Sequence, residues 1–191
     1  MHEPFLQRTI DISLVTTTNG EKKTKEIKSQ ATAIAVVGWD AKLEEKVQYT
    51  YAELESMCAR VGQQLAQVVQ QSGGSKDKSR PVVTVVMEKG WEQVVAVLSI
   101  HRAQCAYLPV DARLWPEHRV RQVLELSESS AVITQSELLQ GSHSWLNTID
   151  LPIIKIDSSL LSESKNSKEY DSCVAQLNNL PRADPMDLAY L

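Results

Sequence analysis

The sequence predicts an α/β fold, a largely parallel sheet with flanking helices, and three observations carry that reading. Residues Val82–Met87 are apolar almost throughout, as in a strand covered on both faces. Between Thr50 and Val69, apolar side chains recur every three or four positions, the period of a helix with one buried stripe. From residue 82 to residue 157, strand-like and helix-like stretches alternate, which is the layout of right-handed crossovers around a parallel sheet.

The elements follow in order. Residues 11–30 are polar and Lys-rich, too poor in apolar side chains to offset the entropy lost on ordering, and read as a flexible insert. Residues 32–37 form a short β-type run, and residues 47–50 can pair with it as a hairpin across the charged turn at 40–46. Thr50 and Glu53 have the spacing of a capping box, in which each side chain satisfies a free backbone N–H at a helix start. Leu54, Met57, Cys58, Val61 and Leu65 lead the stripe that follows, and Gly73-Gly74 ends it.

After the core strand at Val82–Met87 comes a helix from Trp91 to Arg102. Trp91, Val94, Val95 and Leu98 are expected to face inward, with Val97 and Ile100 widening that face into deep burial. Residues 105–110 form the next strand. Pro116 suits a helix start, where its missing N–H does no harm, with Val120, Val123 and Leu124 inward. Residues 130–134 and 151–157 are further core strands, and residues 158–186 turn polar and read as a surface loop.

Composition narrows the function classes. A chain of 191 residues, 42% hydrophobic with a single Phe, can build one α/β domain around an aliphatic core. A net charge of −4 offers no attraction to nucleic acid or anionic membrane, so neither is expected as a partner. No apolar run approaches the roughly 20 residues that span a bilayer, and the first residues lack a signal-peptide layout. Cys58, Cys105 and Cys173 lie far apart with no Cys-x-x-Cys pair, as expected of reduced thiols in a cytoplasmic protein.

No constellation of residues assembles a visible active site. Gly73-Gly74-Ser75-Lys76 follows a helix and precedes a strand, the reverse of the order a phosphate cradle needs. There is no G-x-G-x-x-G dinucleotide fingerprint and no G-x-S-x-G nucleophile elbow. His2, His101, His118 and His143 lack metal-ligand spacing, although a partly protonated His101 would favour the negative pole of its helix. Asp111 and Glu117 could pair as acid and base, but capping the helix at Pro116 is the better reading. Trp91 and Trp115 suit buried packing near helix starts more than a pocket. Hence no catalytic, cofactor-binding or metal residue is assigned.

Four segments nevertheless share one likeness. Tyr49-Thr50-Tyr51-Ala52-Glu53-Leu54 resembles the L-T-Y-x-E-L motif of adenylate-forming (AMP-dependent synthetase/ligase) enzymes, above all the amino-acid adenylation domains of nonribosomal peptide synthetases. Arg102 to Asp111 resembles their K-A-G-x-A-Y-[VL]-P-[IL]-D motif, and Pro116 to Arg119 matches the P-x-x-R that follows. Asp187-Leu188-Ala189-Tyr190-Leu191 is similar to the D-x-L-A-Y-[VI] strand that enters the family's Ser/Thr/Gly-rich phosphate loop. Gln104 departs from the family pattern, standing where the family has Gly.

The resemblance implies that residues 1–191 are an incomplete AMP-binding (adenylation) domain. In the family, MgATP and a carboxylic acid give an acyl-adenylate and pyrophosphate, and a carrier-protein thiol then takes the acyl group. The phosphate loop and substrate pocket would lie beyond Leu191. The matched motifs would be scaffold, no cofactor would be bound by this chain alone, and the chain would be inactive by itself. ATP and Mg belong to the complete enzyme. The expected partner is the remainder of the adenylation domain, in cis or in trans, and through it a carrier protein. The alternative is half of a split enzyme, a binding module that completes a separately encoded C-terminal part.

Overall fold

A computed structural model describes residues 31–40, 43–71, 80–160, 167–180 and 187–191. The insert expected at 11–30 and the helix stop at Gly73-Gly74 lie outside those residues. Strands β1 (Ile34–Asp40) and β2 (Glu45–Thr50) form an antiparallel hairpin. Helix α1 (Tyr51–Gln71) follows directly. Its capping box closes as the spacing predicts: Thr50 N–H donates to Glu53 Oε2 at 2.8 Å, and Glu53 N–H donates to Thr50 Oγ1 at 3.3 Å.

The chain then alternates β3 (Val82–Met87), α2 (Trp91–Arg102), β4 (Ala106–Asp111), α3 (Glu117–Leu126) and β5 (Ala131–Gln135). Helix α4 (Ser136–Gln140), a 3-10 turn at Ser144–Thr148, β6 (Ile153–Ile156) and α5 (Ser167–Asn178) complete it. Strand order is β4-β3-β5-β6 and every pairing in this sheet is parallel, as expected from the apolar runs. All residues of β3 and β5 are buried, which is why those two strands carry no alternation.

Two cores sandwich the sheet. On one face Val83, Val85, Ile133 and Ile156 pack with Met57 and Leu65 of α1 and Ile100 of α2. On the other, Val86, Val110 and Val132 pack with Val120 and Leu124 of α3 and Leu139 of α4. Thr84 is buried within β3, and its hydroxyl is satisfied by Ser129 Oγ at 2.6 Å, which in turn meets Ser127 Oγ at 2.7 Å.

Two expectations are corrected. Helix α2 buries Trp91, Val95, Ala96 and Ile100 together with Glu92, Ser99 and Arg102, whereas Val94 is 38% exposed. Polar groups can take the inward positions because they have partners there: Ser99 Oγ donates to Val95 O at 2.6 Å, and Arg102 pairs with Glu55 of α1. The second correction concerns residues 158–186, expected as a polar loop, which contain the helix α5. Tyr170, Cys173, Val174 and Leu177 recur at helical spacing and pack against Ala59 and Ala66, giving α1 a second buried flank. A stripe this narrow sits among so many polar residues that mean polarity hides it.

The three cysteines are free and buried, as expected of unpaired thiols. Burial pushes the Cys58 and Cys105 thiols up to about 12 and so keeps both uncharged and unreactive. Among the described residues no helix is long and apolar enough to cross a membrane.

Gln104 adopts the left-handed conformation for which the family uses Gly, with φ 59°. The turn is intact: Cys105 N–H donates to Ile100 O and Gln104 N–H to His101 O, both at 3.0 Å, the two-bond termination of a helix. Gln104 Oε1 is buried without a hydrogen bond. A side chain there costs about 1 kcal/mol relative to a residue without Cβ. Gln104→Gly is therefore expected to raise the urea midpoint by an amount worth about 1 kcal/mol, and an unchanged or lower midpoint would show the turn is unstrained.

Candidate functional site

Open parallel sheets bind ligands at the carboxyl ends of their strands, where successive connections diverge. Here that point lies between β3 and β5, since the chain crosses from β3 to β4 on one side and returns to β5 on the other. The protein fills it with its own polar groups. Gln135 Oε1 accepts the Glu88 N–H at 2.8 Å, and Thr134 Oγ1 donates to Val86 O at 2.8 Å, tying the two strand ends together. Glu92 is buried beside them, its pKa pushed up first by burial and further by the Asp40 carboxylate, while the Gln135 amide opposes the shift. A Cβ at Gly90 would sit 2.2 Å from Glu92 Oε2, so glycine is what leaves room for this carboxyl group. Glu88 and Glu92 are the acids of this position, with Lys89 between them in the chain.

The residues weighed from the sequence do not converge. His101, half-buried on α2, stands edge-on to the Tyr107 ring at 5.5 Å. Burial lowers its pKa, the opposite direction to the protonation that a helix end would favour. His143 is buried with Nδ1 2.9 Å from Ser142 Oγ, its pKa lowered by burial against the opposing charge of Glu88. His118 is exposed on α3, and His2 and Gly73-Gly74-Ser75-Lys76 lie outside the described residues. Among the described residues no three His, Cys, Asp or Glu side chains cluster as a metal site would require.

Asp111 and Glu117 do not form an acid–base pair, and neither side chain caps α3, contrary to expectation. Asp111 Oδ1 accepts the Arg113 N–H at 2.9 Å in the turn after β4, and Glu117 pairs with Arg121 at 2.7 Å one helical turn along. Pro116 itself takes the position before α3 with no side-chain cap. Trp91 is buried packing, as read from the sequence. Trp115 is half-buried, with the Arg119 guanidinium 4.1 Å above its ring.

The outer edge of β4 was not legible as a site, and there the last residues dock. Tyr107 N–H donates to Ala189 O and Leu191 N–H donates to Tyr107 O, both at 3.1 Å, so Asp187–Leu191 runs parallel to β4. Arg80 donates through Nε to Asp187 Oδ2 at 2.8 Å and through its NH1 group to Gln104 O at 3.2 Å. Beside this edge is a cleft of about 450 Å³ lined by Val94, Val97, Leu98, Tyr107 and Pro109 with Gln93. None of these lining residues is cationic.

Comparison with known proteins places this geometry. The model of the family described as AMP-binding enzyme matches residues 24–191, most of the chain, and the chain belongs to that family. It resembles the N-terminal part of an adenylate-forming enzyme of the nonribosomal peptide synthetase type, as the motifs implied. Tyrocidine synthase 2 of Brevibacillus parabrevis is 32% identical over 129 residues, covering 67% of this chain and 3% of that protein. The nonribosomal peptide synthetase agiA of Aspergillus flavus is 25% identical over 158 residues, covering 80% of this chain and 2% of that protein. The crystal structure of the nonribosomal peptide synthetase FmoA3 aligns with a TM-score of 0.57 and 27% identity, covering 98% of this chain and 18% of that one. The chain thus spans only a small part of the relatives it matches.

Proposed function

We propose that this chain is the N-terminal scaffold portion of an ATP-dependent amino-acid adenylation domain of nonribosomal peptide synthesis, and that it does not activate an amino acid by itself. Charge placement supports the second half most directly. Holding a triphosphate takes cations or a nest of backbone N–H groups. The Arg80 and Arg121 side chains pair with Asp187 and Glu117, and Arg102 with Glu55. Glu92 and Glu88 occupy the strand ends, and the cleft at the β4 edge is apolar. This placement supports the reading that a polyphosphate is held by residues other than these.

Adenylation is an in-line attack of a carboxylate on the α-phosphorus of MgATP, driven mainly by positioning and charge stabilisation. In this reading ATP, Mg and the amino acid are gripped by the remainder of the domain, and the acyl group passes to a carrier protein in the cytoplasm. This chain contributes the sheet that orients those parts. Resemblance alone carries the roles assigned to the remainder.

A second reading, half of a split enzyme completed by a separately encoded part, draws on the exposed side chains of the terminal strand. Leu188, Tyr190 and Leu191 are 46%, 66% and 55% exposed beside a strand edge that can recruit a partner. Amino-acid-dependent exchange of pyrophosphate into ATP tests both. The chain alone is expected to give none, and a robust signal from it would overturn the scaffold reading. Activity that appears only on mixing with a polypeptide starting in a Ser/Thr/Gly-rich loop selects the split enzyme.

A further inference from the structure

Hydrogen-bond accounting along the outer edge of β4 exposes a register problem. Within β4 the residues turned away from β3 are Tyr107, Pro109 and Asp111. Pro109 has no N–H to donate, and the Asp111 carbonyl is taken by the N–H groups of Leu114 and Trp115, both at 3.2 Å. Just before the strand, the Cys105 N–H is committed to Ile100 O. Tyr107 alone in β4 therefore offers a donor and an acceptor together, and the strand Asp187–Leu191 rests on that one rung. A slide of two residues would keep both hydrogen bonds and the same face toward each side of the sheet. The ladder alone does not choose between registers.

Side chains must choose, and Arg80 is placed to do so. It precedes β3 and reaches Asp187 with two nitrogens, Nε at 2.8 Å and NH2 at 2.6 Å, while its NH1 group holds the carbonyl of Gln104 in the turn before β4. The pair is largely shielded, at 16% and 28% side-chain exposure, and two guanidinium N–H groups converging on the one oxygen, Asp187 Oδ2, give direction as well as attraction. Tyr190 adds a ring contact to Tyr107 at 6.1 Å.

We propose that Arg80 is a positioning residue: its pair with Asp187 selects the register of Asp187–Leu191 on β4. Resting on the scaffold reading above, this register sets where the phosphate-binding segment of the complete domain begins. A two-residue slip would displace that segment by roughly 7 Å, far beyond the tolerance of a positioned reaction.

Cross-strand nuclear Overhauser contacts measured by NMR on the full chain test this, because they identify the residue opposite Tyr107. The native chain is expected to show Tyr107 against Ala189 and Tyr190. Arg80→Met and Asp187→Asn are each expected to weaken those contacts by at least about twofold and to bring up contacts of Tyr107 with residues two positions away, while the contacts between Val85 and Ile133 stay as in the native chain. The reversed pair, Arg80→Asp with Asp187→Arg, is expected to restore the native contacts. Unchanged Tyr107 contacts in both single variants would overturn the assignment. So would loss of the contacts between Val85 and Ile133, which marks global destabilisation, or no recovery in the reversed pair. These contacts report the register whether or not the chain serves adenylation, so the pyrophosphate assay can fail independently.

Discussion

Glu55→Ala is expected to destabilise the fold by about 3 kcal/mol or more, the usual range for removing one member of a buried ion pair. Glu55 on α1 and Arg102 on α2 are joined directly, with side-chain exposures of 12% and 5%. Tyr170 of α5 also donates to Glu55 Oε1, at 3.5 Å. Removing the carboxylate leaves a guanidinium that cannot shed its charge inside a helix–helix contact. The cost comes from that orphaned charge more than from the lost attraction. Accordingly, the double substitution Glu55→Leu with Arg102→Met is expected to lie within about 1 kcal/mol of the native chain. Urea unfolding of the three proteins measures both values. A single-variant loss below about 1 kcal/mol would show that water reaches Arg102 after all.

Trp91→Ala is expected to cost about 3–4 kcal/mol and to loosen the hairpin β1–β2 first. Trp91 is 2% exposed and meets Tyr49 of β2 edge-on, with ring centroids 4.8 Å apart. On β1, Gly38 lets the backbone approach so closely that an added Cβ would lie 3.0 Å from Trp91 Cβ. The indole thus fastens a two-stranded unit that is too small to hold itself together. Its Nε1 is buried without a hydrogen bond, which lowers the net loss somewhat. Amides of β1 and β2 are expected to lose exchange protection before those of β3 and β5. Equal protection across both sheets would show that the hairpin docks without the indole.

How much of this was legible depended on whether the signal was local. The parallel sheet was, because β3 and β5 are buried on both faces and carry near-continuous apolar runs. So was the start of α1, where Thr50 and Glu53 lie three residues apart and satisfy each other. The inward face of α2 was misjudged because Arg102 and Ser99 look like surface residues until Glu55 and the Val95 carbonyl are placed beside them. Helix α5 was missed because its stripe depends on the flank of α1, more than a hundred residues earlier in the chain. Arg80 went unnoticed for the same reason: its partner Asp187 lies 107 positions away.

The candidate site followed the same rule. Family motifs marked the strand Asp187–Leu191 and the β4 segment separately, yet nothing in either shows that they pair at Tyr107 alone. Residues expected to be bland were so for identifiable reasons: burial lowers the pKa of His101, and Glu117 is occupied by Arg121. Both lowered histidines, His101 and His143, also favour the native state above the unfolded histidine pKa of about 6.5, with stability lost as pH falls through it.

The most direct measurement is a calorimetric titration of the purified 191-residue chain with MgATP and no second protein present. No saturable heat is expected, because Arg80, Arg102 and Arg121 are engaged by carboxylates and Glu88 and Glu92 stand at the strand ends. Tight, stoichiometric MgATP binding would contradict the proposal that this polypeptide supplies framework and leaves the nucleotide to the rest of the enzyme.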